Sequence, residues 1–103
     1  MRIISGKFRG KKLAQPTDNL TRPLKDIVKE SLFNLLNHSK SVKINMEESN
    51  VLDLFSGSGS FGLECISRGA NKVIFCETYT PPLTILKKNI TYLKKNYFPF
   101  VQL

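Results

Sequence analysis

Val51 to Gly62 read V-L-D-L-F-S-G-S-G-S-F-G. An apolar run carrying one acid, Asp53, leads into Gly57, Gly59 and Gly62, and a helical pattern follows at once. The pattern describes a buried strand that delivers a turn whose backbone approaches something closely, because glycine has no Cβ and accepts φ > 0. A second apolar strand, Lys72 to Cys76, ends at an acid, Glu77. Strand, glycine turn, helix, strand and acid together outline a nucleoside-cofactor site.

Outward from this unit, the first helix runs over about Ser60–Arg68, where Gly69 can close it. A second helix spans about Pro81–Lys95, with Pro81 and Pro82 tolerated only in its first turn. Leu83, Leu86, Ile90 and Leu93 form its buried stripe, and Phe98 to Leu103 begin a third strand.

On the N-terminal side, Met1 to Leu13 interleave Ile3, Ile4, Phe8 and Leu13 with Arg2, Lys7, Arg9, Lys11 and Lys12. Two short strands turning at Ser5-Gly6-Lys7 would set an apolar face on the protein and offer a cationic face to phosphates. The plainer alternative is a lysine-protected sheet edge. Gln15 to Arg22 form a loop, and Pro23 opens an amphipathic helix to about Asn37. Its expected buried stripe is Leu24, Ile27, Val28, Leu32, Leu35 and Leu36, which leaves Lys25, Asp26, Lys29 and Glu30 on a solvated face. His38 to Asn50 read as a linker, so the chain divides into a basic extension, residues 1–49, and an α/β domain, residues 50–103.

The 103 residues suffice for one small domain, and a 41% hydrophobic content permits a packed core. Sixteen Lys and Arg against eight Asp and Glu give a net charge of +8, a field that favours a polyanionic partner. The bland counterpart is a solvated basic surface. Cys65 and Cys76 sit in apolar segments without a C-x-x-C pair and read as reduced, buried thiols. His38, the single histidine, has no metal-ligand partner in view, and no metal is expected. No apolar run approaches membrane-spanning length and no signal-peptide core opens the chain, so a soluble, cytoplasmic protein is expected.

Gly57-x-Gly59-x-x-Gly62 matches the dinucleotide fingerprint, and alone it would indicate a nicotinamide or flavin enzyme. Asp53, just ahead of the glycines, argues for another ligand. Its carboxylate repels a pyrophosphate and attracts an ammonium. S-adenosylmethionine carries an ammonium, a sulfonium and a ribose diol, so Asp53 can face its amino end while Glu77 accepts two hydrogen bonds from the ribose. The structural alternatives are a capping carboxylate for Asp53 and an exposed strand-end acid for Glu77.

With these residues in place, the chain resembles the bacterial 16S rRNA guanine-N2 methyltransferases, S-adenosylmethionine-dependent enzymes with a Rossmann-like fold. M-R-I-I-S-G-K-F-R-G-K-K-L is similar to that family's N-terminal hairpin. Thr21 to Asn34 are similar to its T-R-P helix, and Leu52 to Glu64 to its cofactor loop. Ser67 to Ala70 and the strand ending at Glu77 also fit, and the likeness runs to about Leu93. The resemblance implies that Asp53, Phe55, Gly57, Ser58, Gly59 and Glu77 line the cofactor. It implies that Arg2, Lys7, Arg9, Lys11, Lys12 and Arg22 approach ribosomal RNA. Where an acid or amide often follows the second-strand acid by two places, this chain has Tyr79.

Base-amine methylation in that superfamily uses an Asp/Asn-Pro-Pro-aromatic motif after a fourth strand, which positions the nitrogen toward the methyl group. The 103 residues contain no such motif, and Tyr79-Thr80-Pro81-Pro82 reads as a helix start. The expectation is a cofactor half without its catalytic half: a partial Rossmann-like α/β sheet, open on one side and marginally stable alone. A truncated product, a gene remnant and one piece of a split enzyme completed by a second polypeptide all fit that description. So does a non-enzymatic RNA-binding remnant.

Overall fold

Alternating apolar strands and helices fold here into a parallel sheet with the helices that its crossovers require. The structure is a computed structural model that describes residues 1–15, 25–42, 44–94 and 100–102. The elements are α1 (Asp26–His38), β1 (Asn50–Asp53), α2 (Ser60–Ser67), β2 (Lys72–Phe75), α3 (Thr80–Lys94) and β3 (Phe100–Gln102). The strands lie in the order β1-β2-β3, all parallel, with Val51 opposite Val73 and Val73 opposite Val101.

β2 is the central strand, and its Val73 and Phe75 are fully buried. α2 packs on β1 and β2 at unusually close range. A Cβ at Gly62 would stand 2.3 Å from Phe75 Cε1, so only a glycine allows this helix-to-strand distance. Gly69 (φ +105) ends α2, with its N–H on the Ile66 carbonyl and the Ala70 N–H on Cys65. The α3 stripe lies where its spacing places it: Leu86, Ile90 and Leu93 are buried and Leu83 packs beside them. Tyr79-Thr80-Pro81-Pro82 is the start of that helix, and the Leu83 N–H bonds the Tyr79 carbonyl. The Cys65 thiol is buried, which pushes its pKa up to about 12, and neither cysteine is in a disulfide.

β1 is an edge strand among the described residues, as expected from the reading of an open sheet side. Leu52 is 58% exposed and Leu54 57% exposed, so the strand that would be central in a larger sheet carries apolar side chains in water.

Two expectations are corrected. The N-terminal segment forms no regular strands. A single antiparallel bridge, Arg2 to Lys12, closes a wide loop, with the Ile3 and Leu13 N–H groups donating to Lys11 and Met1 carbonyls. Gly6 packs so tightly on the end of α2 that a Cβ would fall 2.0 Å from the Ser67 carbonyl oxygen, and this docking bends the segment out of a ladder. The division of faces does hold: Ile3, Phe8 and Leu13 are buried while Arg2, Lys7, Arg9 and Lys12 are exposed.

The second correction concerns α1, which is rotated from the expected stripe, although Leu36 still packs against the core and Leu32 is half-buried. Ile27 (73% exposed), Val28 and Leu35 face solvent, and the buried residues are Lys29 and Phe33. The cause is a carboxylate. Glu64 of α2 is fully buried, and both its oxygens accept main-chain hydrogen bonds, from Ile4 at 2.9 Å and from Ser5 at 3.1 Å. Arg68 Nε reaches Oε2 at 2.8 Å and Lys29 Nζ lies 3.4 Å from Oε1. Lys29 Nζ also donates to the Arg2 carbonyl at 2.5 Å and to Ser60 Oγ at 3.1 Å. A buried ion without compensation is far costlier than exposed aliphatic surface, so the helix orients by its lysine. The Arg68 guanidinium then lies 4.3 Å above the Phe33 ring, which stacks on Phe61. Pro23 and Leu24, where this helix was expected to begin, lie outside the described residues.

Lys29→Met should therefore cost about 3–5 kcal/mol by leaving Glu64 short of a counter-ion, a large share of the roughly 5–15 kcal/mol that holds a domain folded. Chemical denaturation reads this directly. An unchanged midpoint would show that the pair does not set the helix orientation.

Candidate functional site

The glycine turn stands at the C-terminal ends of β1 and β2, the end of a parallel sheet where ligands bind. Four hydrogen bonds fix its course. The Cys76 N–H donates to the Asp53 carbonyl at 2.9 Å, and the Ser56 N–H and Oγ–H both donate to the Cys76 carbonyl, at 3.1 and 3.2 Å. The Gly59 N–H closes the turn on the Ser56 carbonyl at 2.9 Å. Gly59 itself takes φ +96, and a Cβ there would meet Leu86 Cδ1 at 2.4 Å, so backbone angle and packing against α3 both demand glycine. Gly57 (φ +56) differs: a Cβ would find nothing within 4 Å, so its bare backbone faces open space.

Asp53 and Glu77 flank this turn. Glu77 is already engaged with main chain. Its Oε1 accepts the Gly57 N–H at 2.9 Å, and its Oε2 accepts the N–H groups of Thr78 at 2.9 Å and Tyr79 at 2.8 Å. A carboxylate offers about four acceptor positions, so one remains on Oε1. Asp53 is held differently. The Gly62 main-chain N–H contacts its carboxylate, yet among the described residues the buried Oδ2 has no hydrogen-bond partner. Burial raises the Asp53 pKa above the usual carboxylate range. The Gly62 N–H opposes that rise, and the charge of Glu77 adds to it. Two carboxylates with one unpartnered buried oxygen make a site for donors and positive charge, and a poor one for a pyrophosphate.

The other expected cofactor residues are placed as follows. Ser58 is buried, its hydroxyl turned toward Met1 Sδ at 3.5 Å and its carbonyl accepting from Asn89 Nδ2 at 3.1 Å. Phe55 stands on the turn at 92% exposure, away from the core. Gly57 and Glu77 are thus joined by a hydrogen bond and Asp53 lies near enough to feel the Glu77 charge, while Ser58 turns inward and Phe55 outward.

The cations divide between two sides of the hairpin loop. Arg2 and Arg9 face the groove between this loop and α1, with Arg2 Nε 3.5 Å from Asp26. Lys11 instead lies over the Tyr92 ring of α3, 5.5 Å from its centroid. Lys7 and Lys12 are exposed, and Arg22 lies outside the described residues.

Sequence reasoning missed Asn89. Its amide is buried in α3, accepts the Ala14 N–H at 2.8 Å and donates to the Ala14 and Ser58 carbonyls, both at 3.1 Å. It clamps the end of the hairpin loop to the glycine turn. An asparagine inside the apolar stripe, between Leu86 and Ile90, was the available signal. Glu64 and Arg68 likewise sit at i, i+4 in α2, a spacing that pairs charges on one helix face. Among the described residues, no group of three or more His, Cys, Asp or Glu is placed to hold a metal, and no helix is long and apolar enough to cross a membrane.

Residues 1–102 match the family model described as Conserved hypothetical protein 95. Ribosomal RNA small subunit methyltransferase D of Haemophilus influenzae is 44% identical over 94 residues, covering 91% of this chain and 46% of that protein. The Escherichia coli protein of the same name is 38% identical over 94 residues, 91% of this chain and 44% of its own length. Among solved structures, one described as the methyltransferase yhhF of Escherichia coli superposes with a TM-score of 0.74 at 35% identity, over 99% of this chain and 51% of that one. The chain spans about half the length of the curated relatives it matches. The α/β arrangement is that of a partial Rossmann-like fold, shared with these structures. The glycine turn with its two carboxylates and the docked basic loop therefore sit in a chain that belongs to the Conserved hypothetical protein 95 family, among relatives named ribosomal RNA methyltransferases.

Proposed function

We propose that this chain is the cofactor-binding portion of an S-adenosylmethionine-dependent ribosomal RNA methyltransferase that modifies a guanine exocyclic N2, a cytoplasmic activity. The observation that carries the reading is the unpartnered, buried Oδ2 of Asp53 beside the open backbone of Gly57. An unpaired buried acceptor carries a folding cost that an arriving donor would remove.

S-adenosylmethionine, when bound, supplies a methyl group made electrophilic by its sulfonium. Asp53 would hold the ammonium of the methionine moiety. Glu77 would take one ribose hydroxyl on the free position of Oε1. The backbone of Gly57 to Gly59 would pass along the nucleoside, and Phe55 would close over it from the exposed side of the turn. The Arg2, Lys7, Arg9, Lys11, Lys12 and Arg22 cations would meet the phosphates of ribosomal RNA. The relatives are named for RNA methylation, and in this reading a further polypeptide would be the source of the Asp/Asn-Pro-Pro-aromatic motif. Such a partner would pair with the open edge of β1 and cover Leu52 and Leu54. In this reading residues 1–49 serve the RNA and residues 50–103 the cofactor.

Calorimetric titration with S-adenosylhomocysteine should show saturable binding that Glu77→Ala abolishes, because that change removes the ribose acceptor and frees three main-chain donors. Binding of NAD in preference would overturn the assignment.

Asp53→Asn tests the same site from the opposite direction. The raised pKa means that Asp53 is harder to ionise in the folded chain than in the unfolded one, so its ionisation costs stability as pH rises above the ordinary value of 3.8. The asparagine variant should unfold at a higher temperature than the parent near neutral pH. The gain should vanish as the pH falls to 3.8. Its affinity for S-adenosylhomocysteine should fall about ten- to a hundredfold through loss of a charge-assisted hydrogen bond. Thermal melts across pH, paired with titrations, check both halves.

A further inference from the structure

Between the hairpin loop and α1 lies a cleft of about 490 Å³, within the range of ligand sites. It is apart from the carboxylate-flanked turn. One wall is the loop, with Arg2 and Arg9. The other is α1, with Glu30, Asn34, Asn37 and His38. Arg68 forms part of the floor, and its charge is committed to Glu64.

The state of these side chains is informative. Arg9, Asn34, Asn37 and His38 are exposed, and among the described residues their side chains make no hydrogen bond or ion pair. Arg2 is 61% exposed despite its contact with Asp26. Two guanidiniums thus stand on one wall, and two amides, an imidazole and a carboxylate on the other. The C-terminus of α1 adds a partial negative charge at His38, and Glu30 adds a full one, so a bare anion finds only half of the cleft favourable. A nucleotide matches both halves. Its phosphate meets arginine, and its base edge presents the mixed donors and acceptors that asparagine and glutamate read. In duplex RNA that edge is engaged in pairing, which selects an unpaired residue.

We infer that this cleft binds one unpaired nucleotide of the RNA substrate, its phosphate on Arg9 and Arg2 and its base against Asn34, Asn37 and Glu30. The inference rests on the RNA-directed reading above for the polyanion's identity, and it is independent of cofactor binding. The cleft adds α1 to the RNA surface, which the sequence confined to the basic loop and Arg22.

The experiment is fluorescence anisotropy of the chain with a labelled RNA stem-loop and with a fully paired RNA of equal length, over a salt series. The paired variant Asn34→Ala/Asn37→Ala should weaken stem-loop binding about tenfold, the worth of two neutral hydrogen bonds, and leave duplex binding and the salt slope unchanged. Arg9→Ala should reduce the slope of log K against log salt by about 0.7, one single-strand phosphate. Lys88→Ala, on the exposed face of α3, is the control and should do neither.

Equal losses for stem-loop and duplex would overturn the inference, as would variants indistinguishable from the parent. Competition by inorganic phosphate as strong as by RNA would reassign the cleft to a simple anion. A parent that binds no RNA also sinks it. Melting temperature and S-adenosylhomocysteine titration on the same variants separate the readings. Cleft-dependent RNA binding without cofactor binding would refute the proposed function and keep the cleft, and the reverse result would do the opposite.

Discussion

The Glu64 carboxylate is the constraint around which the N-terminal half of the molecule is arranged. It is fully buried, and it is compensated by two main-chain N–H groups, one arginine and one lysine from three separate stretches of chain. No apolar contact is as selective, because a hydrophobic surface accepts many partners while a buried charge accepts only those that neutralise it. The loop at Ile4 and Ser5, the rotation of α1 about its axis and the placement of Arg68 over Phe33 all follow from satisfying this one group. The arrangement does not maximise apolar burial, as exposed Ile27 shows. It fixes one geometry among several that hydrophobic packing alone would permit.

That geometry places the basic loop beside the glycine turn. Lys29 touches Ser60 at the start of α2 and the Arg2 carbonyl in the same grip, so the first residue of the helix behind the turn is tied to the loop. Asn89 makes a second tie from the α3 side, joining Ala14 to Ser58. The proposed RNA surface and the proposed cofactor turn are therefore joined through buried polar contacts. A tilt of the loop would strip the Glu64 carboxylate of two main-chain donors or strand a buried amide.

How much of this was legible in the sequence depends on the kind of force involved. The strands at Val51 and Val73, the glycine turn and the α3 stripe were readable, because each is set by a local period or by a backbone angle that one residue type tolerates. Asp53 was readable as an acid within the first strand and Glu77 as an acid at the end of the second, although β1 ends at Asp53. The capture of Glu77 by three main-chain N–H groups was not, since it depends on where the turn folds back. The α1 face was misread for a deeper reason. Its apolar residues do recur at helical spacing, but periodicity counts aliphatic surface and is blind to a charge waiting on a different helix. Lys29 looked like any solvated lysine until Glu64 was in place. The hairpin failed as a pair of strands because Gly6 docks on α2, a contact between residues 61 positions apart along the chain.

The Asn89 clamp also bears on how the chain reaches its final form. It joins groups 75 positions apart, and the bonds from Ile4 and Ser5 to Glu64 span 60 and 59. During synthesis the basic loop is made before Glu64, Ser67 and Asn89, the polar groups of α2 and α3 that anchor it. Contacts of such separation form slowly and give no stability until the intervening chain has closed. Until then residues 1–15 lack these partners and are a cationic, partly apolar arm. The arm with which this protein is proposed to hold RNA can dock only after α2 and α3 have been made.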